Sequence, residues 1–191
     1  MKKKIFVRGP ILSQSGYGEQ SRFALRALRS REDLFDIFLQ PIPWGQTGWI
    51  WKNDDFRRWM DERITLTQIL MHKKQLAADL CLQITIPNEF QKIAPINIGY
   101  TAGIETDRVA PNWLQKGNEM DKILVVSKHA KSTFQNTKAE AHNPQTGEKV
   151  PYKLETPIDV VWEKTERQPP EEVPGFKLDY EKNPLIFPVL N

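Results

Sequence analysis

The chain has 191 residues, of which 39% are hydrophobic and 27% are charged. This composition supplies enough apolar surface for one folded domain, or for one domain and the beginning of another, and excludes a disordered chain. Lys and Arg outnumber Asp and Glu by only 27 to 24, an excess too small to indicate a nucleic-acid partner. No apolar run approaches the roughly 20 residues that span a bilayer. The single cysteine, Cys81, excludes an internal disulfide and a cysteine-based zinc site, so we expect a cytoplasmic protein without a transmembrane segment.

Apolar, strand-like runs recur along the whole chain. They lie at residues 5–7, 35–39, 80–86, 96–101, 123–126 and 158–162. The run at 123–126 is the most continuously apolar, as is typical of a strand buried on both faces of a parallel sheet. Residues 139–151 are polar and rich in breakers, so we predict a loop there.

Helical patterns lie between these runs. The first follows the loop Ser13–Gly18 and has its arginines, Arg22 among them, on the outward face. Asn53 is expected to cap a second helix, with another helical segment after it. Pro111 is well placed to begin a helix, and Ser127 to cap the last one. Because strands that alternate with helices need crossover connections, the sequence predicts a doubly wound α/β fold with a mainly parallel sheet and helices on both faces.

The end of the chain has a different composition. Residues 164–191 are rich in proline and charged residues, show little periodicity, and reach an apolar run only at 184–190. Such composition is typical of a linker. We therefore predict one domain over residues 1–163, and assign 164–191 to a linker and the beginning of a further domain that the chain lacks.

Ligands of doubly wound sheets bind at the carboxyl ends of the strands, so the turns that follow each strand are candidate sites. Gly16, Tyr17 and Gly18 follow the first strand and open a helix, where backbone N–H groups and the helix dipole favour a phosphate or sugar oxygen. The two glycines and Ser21 nearly match a dinucleotide fingerprint. However, the preceding loop is too long for it, and the second strand ends in Gln40 rather than an acid. A helix-entry turn without a ligand is the alternative, and NAD binding is a remote one.

A second candidate segment follows the strand at residues 96–101. Thr101, Ala102 and Gly103 are small and leave room for a ligand. Glu105, close behind them, could accept hydrogen bonds from sugar hydroxyls or act in proton transfer. The alternative is that Glu105 or Asp107 caps the next helix or lies in solvent.

The loop at residues 44–51 carries three of the six tryptophans and fits neither period. Trp44, Trp49 and Trp51 could form a platform on which a sugar ring stacks. The alternative is a loop whose tryptophans attach it to the core. Single-stranded nucleic acid also stacks on aromatic residues, but no basic stripe accompanies these ones.

Ser127 and His129 follow the most apolar strand. Ser127 is favoured as a helix cap over a nucleophile because no acid–base partner is visible in the sequence. His129 could face the binding cleft or be an exposed bystander. The other two histidines, His72 and His142, have no spacing typical of metal ligands, so we predict no metal held by the protein.

One succession of residues resembles a known family. It consists of Tyr100–Glu105, Pro111–Trp113, Asn118, Asp121 and Val125–Lys128. Together with the loop Ser15–Gly18 and the late run Thr156–Val161, it resembles the N-terminal half of a glycosyltransferase with two facing Rossmann-like domains, closest to the retaining family 4 type. The similarity covers roughly residues 4–190 and is most specific over 100–134.

The resemblance implies a transferase that moves a sugar from a nucleotide-sugar donor to an acceptor with retention, and that holds no permanently bound cofactor. In such enzymes the N-terminal domain mainly binds the acceptor and the C-terminal domain binds the nucleotide. By position, Gly16 and Gly18 would line the cleft near the donor phosphates, and Glu105, on the acceptor side, is the candidate catalytic residue. The remaining candidates for substrate binding are Tyr17, Trp44, Thr101, Ala102, Gly103, Ser127 and His129.

The chain departs from that family in containing almost none of the second domain. Catalysis requires donor and acceptor at reacting distance, and the missing half would supply much of that positioning. We therefore expect little or no transferase activity from these residues alone. A non-catalytic α/β module that binds a small molecule or a partner is the alternative function, and an NAD-linked oxidoreductase is a distant third.

Overall fold

The computed structural model describes residues 2–142 and 149–162. The strands in this part of the chain are β1 (Lys3–Gly9), β2 (Phe35–Pro41), β3 (Leu80–Ile84), β4 (Ile96–Thr101), β5 (Lys122–Val125), β6 (Ala139–His142), β7 (Lys149–Tyr152) and β8 (Ile158–Val160). The α-helices are α1 (Gly16–Arg29), α2 (Asp55–His72), α3 (Pro111–Asn118) and α4 (Lys128–Asn136), and a short 3-10 helix spans Pro87–Glu89. None of these helices combines the length and the apolarity needed to cross a membrane. The predicted linker and further domain at 164–191 lie outside the described residues.

Six strands form one parallel sheet in the order β2-β1-β3-β4-β5-β8. The order reverses at β1, because the chain adds β2 on one side of it and then returns to add β3 on the other. In α/β sheets, such a reversal leaves a crevice outside the carboxyl ends of the strands. The predicted α/β fold with a parallel, Rossmann-like sheet is confirmed, while the placement of helices on both of its faces stays a prediction.

The first strand shows how the sheet is buried. Ile5 and Val7 belong to one apolar cluster, whereas Phe6 between them belongs to another, since successive side chains of a strand point to opposite faces. The cluster of Ile5 and Val7 also contains Leu25 of α1 and Met60 of α2. Both helices are therefore held to the sheet by burial of apolar surface, the main favourable term in folding.

The other end of the sheet has its own cluster. Ile123 and Val125 of β5 pack with Leu114 of α3 and with Ala130 and Phe134 of α4. All five side chains are almost completely buried. This packing fixes the position of α4, and with it the loop that precedes α3.

Helix α2 lies against the edge strand β2. The backbone N–H of Leu39 donates to Oγ1 of Thr67 at 2.8 Å, in a buried setting. A helix that covers an edge strand removes a row of unpaired groups that would otherwise attract another strand. The helix is continuous where two segments were predicted, and its cap is Asp54, whose side chain accepts from the N–H of Arg57, rather than the predicted Asn53.

The prediction of a loop at residues 139–151 is wrong in part. Strands β6 and β7 pair there as an antiparallel hairpin, with Glu140 opposite Pro151. A proline is tolerated because every strand of a two-stranded hairpin has an outer edge where no ladder hydrogen bond is needed. The pairing supplies backbone hydrogen bonds that the local sequence pattern did not reveal.

Candidate functional site

The N-terminus of α1 lies at the carboxyl edge of the sheet, after β1. Ser15 caps the helix, its hydroxyl accepting from the N–H of Gly18 at 3.1 Å. A Cβ added to Gly18 would lie 2.1 Å from the carbonyl oxygen of Ser13, whereas one added to Gly16 would meet nothing within 4 Å. Gly18 is therefore required by packing, and the backbone at Gly16 borders open space.

Tyr17 connects α1 to the end of β4. Its hydroxyl lies 2.8 Å from Oγ1 of Thr101 and accepts from the backbone N–H of Ala102 at 3.3 Å. The ring of Trp44 lies 4.7 Å from the ring of Tyr17, tilted by 39°. Because β3 separates β1 from β4, the Tyr17 side chain reaches past the end of β3. It thereby brings the glycine loop, Trp44 and the first residues after β4 together.

The segment after β4 is also held against α4. Gly103 has a φ of +87°, and a Cβ there would lie 2.5 Å from the Cβ of Ala130. Ser127 caps α4 by accepting from the N–H of Ala130 at 3.0 Å, as predicted. Nε2 of His129 lies 3.2 Å from the carbonyl oxygen of Thr106, which is a hydrogen bond when that nitrogen carries the ring proton. His129 thus anchors the loop in which Glu105 lies.

Glu105 itself is exposed. Within residues 2–142 and 149–162 it forms no hydrogen bond and no ion pair. Neither Glu105 nor Asp107 caps α3, which begins after Ala110 without a side-chain cap. The carboxylate therefore faces solvent. The loop that carries it is held before Glu105 by the hydrogen bond from Ala102 to Tyr17, and after it by the contact of Thr106 with His129.

The three tryptophans of the loop at 44–51 do not form one platform. Trp44 is half-buried beside Tyr17, whereas Trp49 and Trp51 are 60% and 84% exposed. The loop is held by its backbone instead, since the N–H of Gln14 donates to the carbonyl of Gly48 at 2.9 Å. Of the three tryptophans, only Trp44 therefore attaches the loop to the rest of the domain.

A hollow of about 180 Å³ lies on the other side of α1, between that helix and the beginning of α2. Arg22, Arg26 and Trp51 contribute to its walls. No sequence motif indicates this hollow, because its walls come from separate segments and the helical pattern predicts that Arg22 faces outward. Arg22 is instead 4% exposed.

The described residues hold few candidates for metal or covalent chemistry. In that part of the chain, no three His, Cys, Asp or Glu side chains come together as metal ligands. Burial raises the pKa of the Cys81 thiol to about 12, so the thiol stays protonated at neutral pH and is not a nucleophile.

The chain matches no protein-family model, no curated protein and no solved structure. No relative therefore assigns a role to the loops at the carboxyl edge of the sheet, and their chemistry is inferred from the residues themselves.

Proposed function

We propose that this chain is the acceptor-binding, N-terminal half of a glycosyltransferase that transfers a sugar from a nucleotide-sugar donor with retention. The observation that carries the proposal is the Tyr17 hydroxyl, which contacts both Thr101 and Ala102 and joins the N-terminus of α1 to the end of β4. A helix N-terminus at this edge suits a phosphate, and the small residues beyond β4 leave room for a sugar. The resemblance of the sequence to the N-terminal half of a family 4 type glycosyltransferase points to the same chemistry.

In the proposed reaction, an acceptor hydroxyl oxygen bonds to the anomeric carbon on the same face that the donor phosphate leaves, while the bond from that carbon to the phosphate breaks, so the configuration is retained. The leaving diphosphate takes the electron pair, and the hydroxyl proton passes to a base. Glu105 is the candidate base, since it is an exposed carboxylate on an anchored loop. The N–H of Gly18 is occupied by Ser15, so the donor phosphate contact falls to Gly16.

The acceptor sugar would stack on Trp44, whose ring is already oriented by Tyr17. Stacking on a preoriented aromatic face costs little conformational entropy. Gly103 and Ser127 would line the opposite side, where α4 begins. Donor binding by a second domain and a cytoplasmic setting belong to the same proposal.

Two-dimensional NMR titration tests the binding part of this proposal. Neutral sugars are expected to shift the amides of Ala102 and Gly103, and UDP-glucose that of Gly16, whereas NADH leaves them unchanged. Trp44→Ala should weaken sugar binding at least fivefold, while the exposed Trp162→Ala serves as the matched control. Failure of every neutral sugar to shift these amides would contradict the proposal.

The exposure of Glu105 favours the second candidate, a non-catalytic binding module. A catalytic carboxylate is usually oriented by neighbouring groups, and Glu105 has no partner among the residues with described positions. If Glu105→Gln leaves sugar affinity and its pH dependence unchanged, the module is favoured. If that substitution weakens sugar binding, Glu105 lies at the bound sugar, as the transferase assignment requires.

A further inference from the structure

The hollow between α1 and α2 lies apart from the Tyr17 contacts. Its volume of about 180 Å³ is below the roughly 300–1,000 Å³ of sites for drug-sized ligands. It therefore suits one small ring rather than a dinucleotide. A second hollow adjoins it at Gly16 and shares Arg22 with it.

The charge of the walls favours an anion. Four cationic side chains and two carboxylates line the hollow. Arg22 is buried and donates through Nη1 to the carbonyls of Ile11 and Ser13, both at 2.9 Å. Its carboxylate partner is Glu19, whose Oε1 lies 2.6 Å from Nη2 of Arg22 and whose side chain is 69% exposed. A ligand anion can replace such an exposed partner, whereas the buried guanidinium stays fixed by the two carbonyls.

Arg26 adds a second cation to the same wall. Its guanidinium lies 5.0 Å from the centroid of the Phe56 ring, and it has no carboxylate partner among the ion pairs of the described residues. A guanidinium oriented by an aromatic ring is well suited to a bidentate contact with a carboxylate or phosphate.

Trp51 supplies an apolar surface beside these cations. It lines the hollow and is 84% exposed. The loop that carries it is held in place, because Nη1 of Arg57 donates to the carbonyl of Ile50 and Nε2 of Gln14 donates to the carbonyl of Trp49 at 3.1 Å. Leaving an indole in water forgoes the stabilisation of burial, and a sugar ring stacked on Trp51 would recover part of it.

We propose that this hollow binds a monosaccharide carrying a carboxylate or a phosphate group. The anion contacts Arg26 and replaces Glu19 at Arg22, and the ring stacks on Trp51. A neutral sugar would leave Arg26 without a counter-ion, and a bare anion would leave Trp51 without a stacking partner. The assignment goes beyond the proposed transfer reaction and stands whether or not that reaction occurs.

Calorimetric and NMR titrations of the full chain test this site. The probes are D-glucuronate, glucose 6-phosphate, neutral glucose and inorganic phosphate. We expect at least one of the two sugar anions to bind at least tenfold more tightly than glucose and than phosphate, with shifts at the amides of Trp51 and Lys52. The relative affinity of the two sugar anions then identifies carboxylate or phosphate as the recognised group. Equal affinity for glucose and both sugar anions, or for phosphate and both sugar anions, would overturn the proposal.

Substitutions separate this hollow from the rest of the surface. Arg26→Gln and Trp51→Ala should each weaken binding of the preferred anion at least fivefold, with unchanged circular dichroism. The matched control is Trp49→Ala, in the same loop, exposed, and outside the hollow's walls. If Trp49→Ala weakens binding as much as Trp51→Ala, stacking in the hollow is refuted. Shifts confined to Ala102 and Gly103 would also refute it without affecting the proposed function.

Discussion

Gly16 and Gly18 lie in one short motif but meet different constraints. A Cβ at position 18 would lie 2.1 Å from the Ser13 carbonyl oxygen, and one at position 16 would meet open space. The sequence motif gives both glycines the same apparent role near a ligand. The structure separates a glycine required by packing from one that leaves backbone accessible.

We expect Gly18→Ala to lower the free energy of unfolding by about 1–3 kcal/mol, because backbone must move to admit the methyl group. Gly16→Ala is the matched control and should change it by less than about 0.5 kcal/mol. Urea unfolding followed by circular dichroism measures both. Equal losses in the two variants would show that helix entry, rather than contact with Ser13, sets the requirement.

The buried thiol of Cys81 predicts a pH dependence of stability. Burial raises its pKa from 9.0 to about 12, and Arg8 offsets this only in part. Between pH 9 and pH 12 the unfolded chain loses a proton that the folded chain keeps. Ionisation of this thiol therefore leaves the free energy of unfolding unchanged below pH 9. Between pH 9 and pH 12 it lowers that free energy, by up to about 1.4 kcal/mol per pH unit.

Comparison with Cys81→Ala isolates that effect, since other groups titrate equally in both proteins. Unfolding free energies at pH 8, 9, 10 and 11 should converge between wild type and variant as the pH rises. A constant difference across this range would mean that the thiol ionises as readily in the folded chain as in the unfolded one.

Among the elements, those with local chemical signals could be predicted from sequence. Pro111 begins α3 and Ser127 caps α4, as predicted, because a fixed φ and a short hydroxyl side chain act within a few residues. The cap of α2 was misplaced by one residue, since Asn53 and Asp54 are adjacent residues of equal capping ability. The hairpin of β6 and β7 was missed because Pro151 and the polar residues of that segment are typical of a loop, whereas the outer edge of a two-stranded hairpin tolerates a proline.

The candidate site was predictable only as a set of loops. Carboxyl ends of parallel strands share an edge, so the turns after β1 and β4 could be expected near one another. The contact of Tyr17 with Thr101 depends on the strand order, in which β3 separates the two strands. The hollow beside α1 depends on where α2 begins, and neither arrangement is encoded in a short motif.

Contact between α2 and the edge strand β2 provides a test at this scale. Thr67 accepts from the buried N–H of Leu39, so Thr67→Val should lower the free energy of unfolding by about 1–3 kcal/mol by leaving that donor unpaired. Thr65→Val is the control, because Thr65 is on the same helix and its hydroxyl bonds only to the exposed carbonyl of Asp61.

Hydrogen exchange of the Leu39 amide distinguishes the loss of this bond from a general destabilisation. Its protection should fall in Thr67→Val by more than that of Ile5, at the core of the neighbouring strand. A uniform fall across both amides would show that α2 stabilises the sheet through apolar packing and not through the edge contact.

In the whole molecule, α1 contributes side chains to two separate regions. One flank carries Tyr17, with its contacts to β4 and Trp44. The other carries Arg22 and Arg26, which face α2 across the hollow. One helix thereby contributes to two separate groups of side chains, one around the Tyr17 hydroxyl and one around two arginines.

The domain boundary predicted at residue 163 is testable on the same scale. All six strands of the sheet and the clusters around Ile5, Phe6 and Ile123 lie within residues 2–162. Because burial of apolar surface in one core is what lets a domain fold independently, we expect residues 1–163 to retain the unfolding free energy of the full chain within about 0.5 kcal/mol. The slope of that free energy with urea should also be unchanged, since it follows the surface exposed on unfolding.

Truncation after Glu155 is the comparison, because it removes β8 and the buried Ile158. Loss of one large aliphatic side chain from a core costs about 2–5 kcal/mol, and the pairing with β5 is lost as well. This shorter chain should therefore be much less stable than residues 1–163. If the cut at 163 were as damaging as the cut at 155, the core would extend beyond the predicted boundary, and residues 164–191 would belong to the folded domain rather than to a linker.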